Sequence, residues 1–427
     1  MFISRSSLWS HLDCVHTEKT QAYFERSGSS PINLRLRGGA GQSSLDTFLQ
    51  IIPQAIGRLK YLFIRAEPEV LQAVMTHLSH PAPLLETLDL DCVYHEELEV
   101  TSTIFDGDLS SLRELRLQYV HTELPWRNMV NLTSFTLSNS PVGDFGKLLD
   151  FLESAPRLRN IDLLYTTLVS YGGNKRSVSL NHLERLGIAV CGPTSTFLDH
   201  LVIPAGANLV IQMGLGTFTI EDHIPRSLDN LKNLSSITDI GLHLDLFLSP
   251  FIRFSGPDGE LYIVIPYIDP SLVFESLGRF DTSKTEWLRI NSHSLSMDPP
   301  YRALLAMKNL RILALSRCAG LSCTFMDILN PNTSPSKEVV CPSLEELIFA
   351  HRPRGSFDGD GEEFDMQAVI EMAAARASRG VKLGTFKDRA KLDPADVLEL
   401  RKYVSHVEYG PGVDLYEDGS DGNDWEE

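Results

Sequence analysis

The chain has 427 residues, 43% of them hydrophobic, and a formal net charge of −18 at pH 7. That length can bury a sizeable core, and the acidic balance excludes a general binder of nucleic acid or anionic membrane, because phosphate contacts need clustered Lys and Arg. Part of the charge is local: Asp414, Glu417, Asp418, Asp421, Asp424, Glu426 and Glu427 follow Gly410 with no basic residue among them. The cysteines, Cys14, Cys92, Cys191, Cys318, Cys323 and Cys341, are scattered and mostly sit beside apolar residues, as buried free thiols of a reducing compartment do. Residues 1–13 hold no apolar stretch long enough for a secretory signal, and the best apolar runs, Leu242–Phe254 and Leu261–Ile268, are too short and interrupted to span a bilayer. These features point to a cytoplasmic or nuclear location, or both, and to no membrane partner.

Along the chain one phrase recurs: apolar, two variable residues, apolar, one variable residue, apolar. It occurs as Leu59-Leu62-Ile64, Leu85-Leu88-Leu90, Leu112-Leu115-Leu117, Leu132-Phe135-Leu137, Leu158-Ile161-Leu163 and Leu183-Leu186-Ile188. It returns as Leu310-Leu313-Leu315 and Leu344-Leu347-Phe349. The early copies begin 26, 27, 20, 26 and 25 residues apart, the spacing of leucine-rich repeats. The last two apolar positions, two apart, share one face of an extended strand. Each copy is too short to bury that face alone, so neighbouring copies stack on a common core. The expected architecture is an α/β leucine-rich-repeat solenoid, with a curved parallel sheet on the concave side and helices or irregular segments on the convex side. Residues between the core positions then point outward on the sheet, and Arg65, Asp89, Asp91, Arg116, Gln118 and Asp162 are the candidate protein-binding residues.

The returns read as follows. Ser44–Ile56 has helical spacing, with Pro53 interrupting it; Glu69–His80 has it too and stops before Pro81; Gly146–Ser154 places Leu148, Leu149 and Leu152 on one face and stops at Pro156. In the middle, Asn208–Met213 and Leu234–Leu246 read as degenerate copies, and Leu261–Ile268 is a β-rich run broken by Pro266. The distance from 234 to 310 accommodates about three copies, which predicts a continuous but distorted arc. After a break at Pro331–Lys337 and a charged Gly-rich stretch at 352–363, a helix is expected from about Phe364 to Arg379. Then come Leu383–Phe386, a helix from Pro394 to Tyr403 opened by Asp393, and a last strand at Val404–Tyr409. The domain plan is thus 1–43 as an N-terminal cap, 44–350 as the repeat arc, 351–409 as a helix-strand cap, and 410–427 as an acidic disordered tail.

At both ends the chain resembles the F-box proteins with divergent leucine-rich repeats found in mushroom-forming fungi. The residues that carry the resemblance are Leu8-Trp9-Ser10-His11-Leu12-Asp13 with Tyr23-Phe24-Glu25-Arg26-Ser27-Gly28-Ser29-Ser30-Pro31-Ile32, and Leu400-Arg401-Lys402-Tyr403-Val404 leading to Val407-Glu408-Tyr409, the acidic residues and Trp425. The resemblance implies the substrate-recognition part of an SCF-type ubiquitin ligase receptor, which makes residues 1–43 a post-F-box segment. In that family the Leu-Trp element directly follows the F-box, the helical module that grips the Skp-type adaptor. Seven residues precede Leu8, so the adaptor is expected as a partner only if an F-box lies upstream of Met1. The alternative is a free-standing repeat protein without a ubiquitin role.

The motifs of common enzyme chemistry are not found. There is no nucleophile elbow or phosphate loop, and Gly214-Leu215-Gly216 lacks the third glycine of a dinucleotide fingerprint. His95-Glu96 starts like a zinc-protease helix, but Glu99 stands where the second histidine belongs. Asp358-Gly359-Asp360-Gly361-Glu362 would need a glutamate where Val369 stands to hold calcium. Cys318, Cys323 and Cys341 lack the paired spacing of a zinc site. The expectation is a protein-binding scaffold that is not an enzyme, with no cofactor and no catalytic or metal residue, holding a target protein on its concave face.

Overall fold

Two leucines two residues apart on a strand can leave water only if a neighbouring copy covers them, and the computed structural model shows how that demand is met. It describes residues 6–38, 41–93, 98–100, 104–122, 129–140, 142, 145–167, 176–190, 192–214, 219–244, 250–265, 270–292, 301–316, 319–335, 337–351, 365–411 and 413. These fall into two units, residues 1–233 and 234–427.

Among the described residues of the first unit the main ladder has nine parallel strands, paired in chain order: β1 (His11–Asp13), β2 (Ile32–Leu36), β3 (Leu59–Ala66), β4 (Thr87–Cys92), β5 (Glu114–Gln118), β6 (Ser134–Ser138), β7 (Asn160–Thr166), β8 (Arg185–Val190) and β9 (Asn208–Met213). The inward pairs Leu88/Leu90, Leu115/Leu117, Phe135/Leu137, Ile161/Leu163 and Leu186/Ile188 are all 2% exposed or less. Burying each such side chain contributes about 1.5–3 kcal/mol. The returns carry the helices α1 (Thr17–Ser27), α2 (Gln42–Ala55), α3 (Pro68–Met75) and α4 (Phe145–Ser154). Phe151 of α4 meets Phe135 of β6 edge-on at 4.8 Å between ring centres, so helix and strand share one core. Where each copy enters its strand, the backbone forms its own ladder. Glu86 N–H donates to Lys60 O, Arg113 to Glu86, Thr133 to Arg113, Arg159 to Thr133 and Glu184 to Arg159, at 2.8–2.9 Å.

The second unit contains β10 (Asp239–His243), β11 (Phe251–Gly256), β12 (Gly259–Val264), β13 (Trp287–Asn291), β14 (Ile312–Ser316), β15 (Glu346–His351), β16 (Thr385–Asp388) and β17 (His406–Tyr409). Strands β10, β13, β14, β15, β16 and β17 form a parallel ladder in that order. Its helices are α5 (Pro270–Leu277), α6 (Tyr301–Ala306), α7 (Ala319–Leu329), α8 (Met366–Ser378) and α9 (Pro394–Leu400). Asp365 caps α8 by accepting from the N–H groups of Gln367 and Ala368, and Asp393 caps α9 by accepting from Ala395 N–H. Arg376 of α8 is fully buried and donates to Val340 O at 2.8 Å and Cys341 O at 2.9 Å, tying the helix to the turn that opens the last apolar phrase. Both units are therefore leucine-rich-repeat solenoid structures of the α/β class.

Three expectations are corrected. Pro53 does not interrupt its helix: α2 runs through it to Ala55, because Ile51, Ile52 and Ala55 are buried and a single missing N–H near a helix end costs little against that burial. Helix α3 ends at Met75 rather than running to His80, and the chain leaves it through tight turns in which His77 N–H donates to Val74 O and Leu78 N–H to Met75 O. Between residues 234 and 310, where about three copies are expected, the described residues supply two parallel strands, β10 and β13, and part of the interval is taken by the β-rich run at Leu261–Ile268. Its described part belongs to β12, which pairs antiparallel with β11, itself antiparallel to β10. The signal was Ser255-Gly256-Pro257-Asp258-Gly259, turn chemistry between two alternating runs, with Gly259 at φ 128. His95–Glu96, Trp126, Cys191, Cys318, most of the 170–176 loop, the 352–363 stretch and residues 414–427 lie outside the described residues.

Replacing Leu115 by alanine is expected to lower unfolding free energy by about 2–5 kcal/mol, the cost of a core cavity. Arg376→Ala, which leaves two buried carbonyls without donors, is expected to cost about 2–4 kcal/mol. Urea unfolding followed by circular dichroism measures both, and a loss below 1 kcal/mol for either would contradict the packing described.

Candidate functional site

Because side chains alternate along a strand, the residues between the buried leucines form rows on the opposite, open face of the first unit. The strand register aligns Arg35, Phe63, Asp89, Arg116, Thr136, Asp162, Gly187 and Val210 in one row. The next row carries Arg65, Asp91, Gln118 and Ser138. The structure thus brings all six sequence-derived candidates onto two adjacent rows. Arg35, Tyr61, Glu114 and Arg185 join them on the same face and were not singled out. Glu114 and Arg185 occupy phrase positions equivalent to each other, one residue before the middle leucine, and could have been found from the repeat. Arg35 lies on β2, a strand whose Ile32-Leu34-Leu36 alternation lacks the full phrase.

Three arginines on this face pair with carboxylates, and a fourth stacks on an aromatic ring. Arg65 Nε lies 3.2 Å from Asp91 Oδ2, and Arg116 Nη2 lies 2.6 Å from Glu114 Oε1. Arg185 Nη2 is 3.5 Å from Asp162 Oδ1, and the Arg35 guanidinium stacks over the Tyr61 ring at 5.1 Å. Asp162 can lie flat over the neighbouring strand because position 187 is glycine; a Cβ there would collide with Asp162 Oδ1. Burial raises the Asp162 and Asp91 carboxyls above their ordinary range, with Arg185 and Arg116 opposing it at Asp162 and Arg65 at Asp91. Asp89 is pushed up to about 6, first by burial and then by Asp91 and Glu114, against the pull of Arg116 and Arg35. The face is a mosaic of charged pairs with partly dehydrated carboxylates.

At the strand-entry edge of the same unit a groove of about 860 Å³ is lined by Lys60, Arg113, Arg157, Arg159 and His182 together with Glu86 and uncharged neighbours. Asn131 in its lining donates to Ser110 O and accepts from Arg157 Nη1, while Arg159 pairs with Glu184 at 3.2 Å. Elsewhere the tryptophan of the N-terminal segment is structural: Trp9 packs edge-on against Tyr23 at 4.9 Å, with the Arg26 guanidinium over its ring at 5.0 Å. His223 is fully buried beside Thr194, whose hydroxyl donates to His223 O at 2.8 Å, and burial lowers its affinity for a proton. Cys14 and Cys341 are buried thiols pushed up to about 12, which makes them poor nucleophiles. Among the described residues no three His, Cys, Asp or Glu side chains gather as a metal site requires, and no helix is long and apolar enough to cross a membrane.

The raised Asp89 carboxyl has a sign that can be checked. Its pKa of about 6 exceeds the ordinary 3.8, so the folded chain binds more protons than the unfolded one between these values. Stability from this group therefore falls as pH rises from about 4 to 6. Asp89→Asn removes that loss. The variant should exceed the wild type by roughly 1–2 kcal/mol at pH 7.5, a figure reduced for solvent screening, and the two should converge below pH 4. Melting curves that stay parallel across this range would contradict the burial of Asp89.

No family model matches the chain, and none of the curated proteins does. Among solved structures it is similar to a chain from the crystal structure of a TLR13–ssRNA13 complex, with a TM-score of 0.36 and 16% identity over 84% of this chain and 49% of that one. The chain spans about half the length of that protein. At this level the likeness adds nothing to the fold, which rests on the repeat phrase and the parallel register.

Proposed function

We propose that this chain is a non-enzymatic, protein-binding scaffold of the cytoplasm or nucleus. The target sits on the open face of the first unit, against Arg65, Asp89, Asp91, Arg116, Gln118 and Asp162. The observation that carries this reading is the row Asp89, Arg116 and Asp162, in which partly buried carboxylates flank an arginine at fixed strand spacings. A rigid platform of this kind loses little freedom on binding, so charge complementarity is expressed as specificity.

The more specific role is that of the substrate-recognition part of an F-box ubiquitin ligase receptor. It is supported by the resemblance of the two ends of the chain to fungal F-box proteins with divergent repeats. In that role the chain positions a target while other subunits perform ubiquitin transfer, and the Skp-type adaptor is a partner only if an F-box lies upstream of Met1.

Two experiments test the two levels. Arg116→Glu combined with Asp162→Lys should reduce capture of a protein that co-purifies with the wild type by at least tenfold while leaving the melting temperature within a few degrees. Unchanged capture would remove the target from this face. Separately, the longest transcript should encode an F-box and its product should co-purify with the Skp adaptor. A transcript without that module, or a product that never brings the adaptor down, would leave the scaffold standing and end the ligase reading.

A further inference from the structure

The open face of the second unit differs from that of the first. Its rows hold Asp239, Trp287, Ile312 and Glu346, and next to them Gly241, Arg289, Ala314, Ile348 and Lys387. By strand alternation Ile312 and Ile348 belong with the outward residues, opposite the buried Leu313, Leu315 and Leu347. Yet Ile312 is only 9% exposed and Ile348 only 3%. They form an apolar cluster of their own, against which Trp287, Ala314, Ala350 and Val413 pack.

Val413 comes from beyond the last strand of the ladder. After β17 the chain turns at Gly410, whose φ of 106 favours glycine and whose N–H donates to Asp388 O at 2.9 Å. Val413 N–H donates back to Gly410 O at 3.1 Å, closing the turn that delivers the valine to the open face. The residues that follow, Asp414-Leu415-Tyr416-Glu417-Asp418, interleave apolar side chains with acids. Arg289 lies over the Trp287 ring at 5.0 Å, and Lys387 stands in register with Ile348, so two cations border the patch. Each has a carboxylate neighbour, Asp239 for Arg289 and Glu346 for Lys387, and the apolar contact is therefore the main recognition element.

We propose that Trp287, Ile312, Ala314, Ile348 and Ala350 form a peptide-docking site, and that the chain's own Val413 is its resident occupant. Two residues, Pro411 and Gly412, link Gly410 to Val413, so the valine is presented at a local concentration that a second copy at micromolar concentration does not match. The site takes an apolar residue followed by acids. Any other partner with that chemistry must displace the tethered segment first. This inference is independent of the target-binding reading, which concerns the charged rows of the first unit.

The test uses the full-length chain, its Val413→Asp variant and a labelled peptide of residues 411–427, with binding read by fluorescence anisotropy. The wild type, with its site filled, should take the peptide at least tenfold more weakly than the Val413→Asp chain. Adding Ile348→Asp to that variant should abolish the binding. Amide hydrogen exchange of the segments around Ile312 and Ile348 should rise at least fivefold in Val413→Asp. If that variant melts well below the wild type, the milder Val413→Ser replaces it in the same comparison. Equal affinity for wild type and variant, or no binding to either, overturns the proposal. So does a concentration-dependent oligomer of the wild type that Val413→Asp dissolves, because the occupant would then come from a second copy.

Discussion

Each repeat strand carries two apolar side chains on one face, two residues apart, and neither can be dehydrated without the strand next to it. From that dependence follows the parallel register of both units, since only an in-phase neighbour places leucine over leucine. The same register sets the other face. Once Leu88 and Leu90 are committed inward, Asp89 has nowhere to go but outward, beside Arg116 of the following copy. Core packing and the arrangement of the open face are therefore consequences of one alternation.

The ends of this array need different means. Within it, a buried strand is covered on both sides by its like. Toward the last strands of the second unit, the core is closed by capped helices and by Arg376, which brings a charged head into a fully buried position to satisfy two carbonyls. Burial of that kind costs desolvation, and the hydrogen bonds offset it only while both acceptors are present. The turn at Val340–Cys341 is thereby tied to the helix that covers it.

How much of this was legible depends on whether a signal was local or spatial. The phrase around Leu115 and Leu117 declares both its strand and its inward face, so Arg116 and Gln118 could be assigned outward before any coordinates. Glu114, two residues before Arg116 on the same strand, follows from the same phrase, whereas the pairing of Arg185 with Asp162 on the neighbouring strand emerges only through register. Strand β1, three residues long, is too short to show a period, although Leu12 is buried like any repeat leucine. The β-rich character of Leu261–Ile268 is legible, but its antiparallel pairing with β11 is not, because a search for one repeating phrase passes over an alternating run even where Pro-Asp-Gly flanks it. The apolar patch of the second unit was illegible for a different reason: Ile312 and Ile348 look like ordinary strand residues, and only Val413, distant in sequence, shows that they are covered.

The hairpin of β11 and β12 has an implication for how such chains change over evolutionary time. Strand β10 keeps its parallel, residue-for-residue pairing with β13 even though β11, β12 and a helical return intervene between them. An insertion of that size leaves the register of the copies on its far side intact, and lengthening a connection that is already long carries little added entropic cost. New material can thus enter a return, widen the molecule with strands of unrelated pattern and be kept or lost without the array having to be rebuilt. The register thus constrains the strands of the ladder and leaves the length and content of the returns free to change.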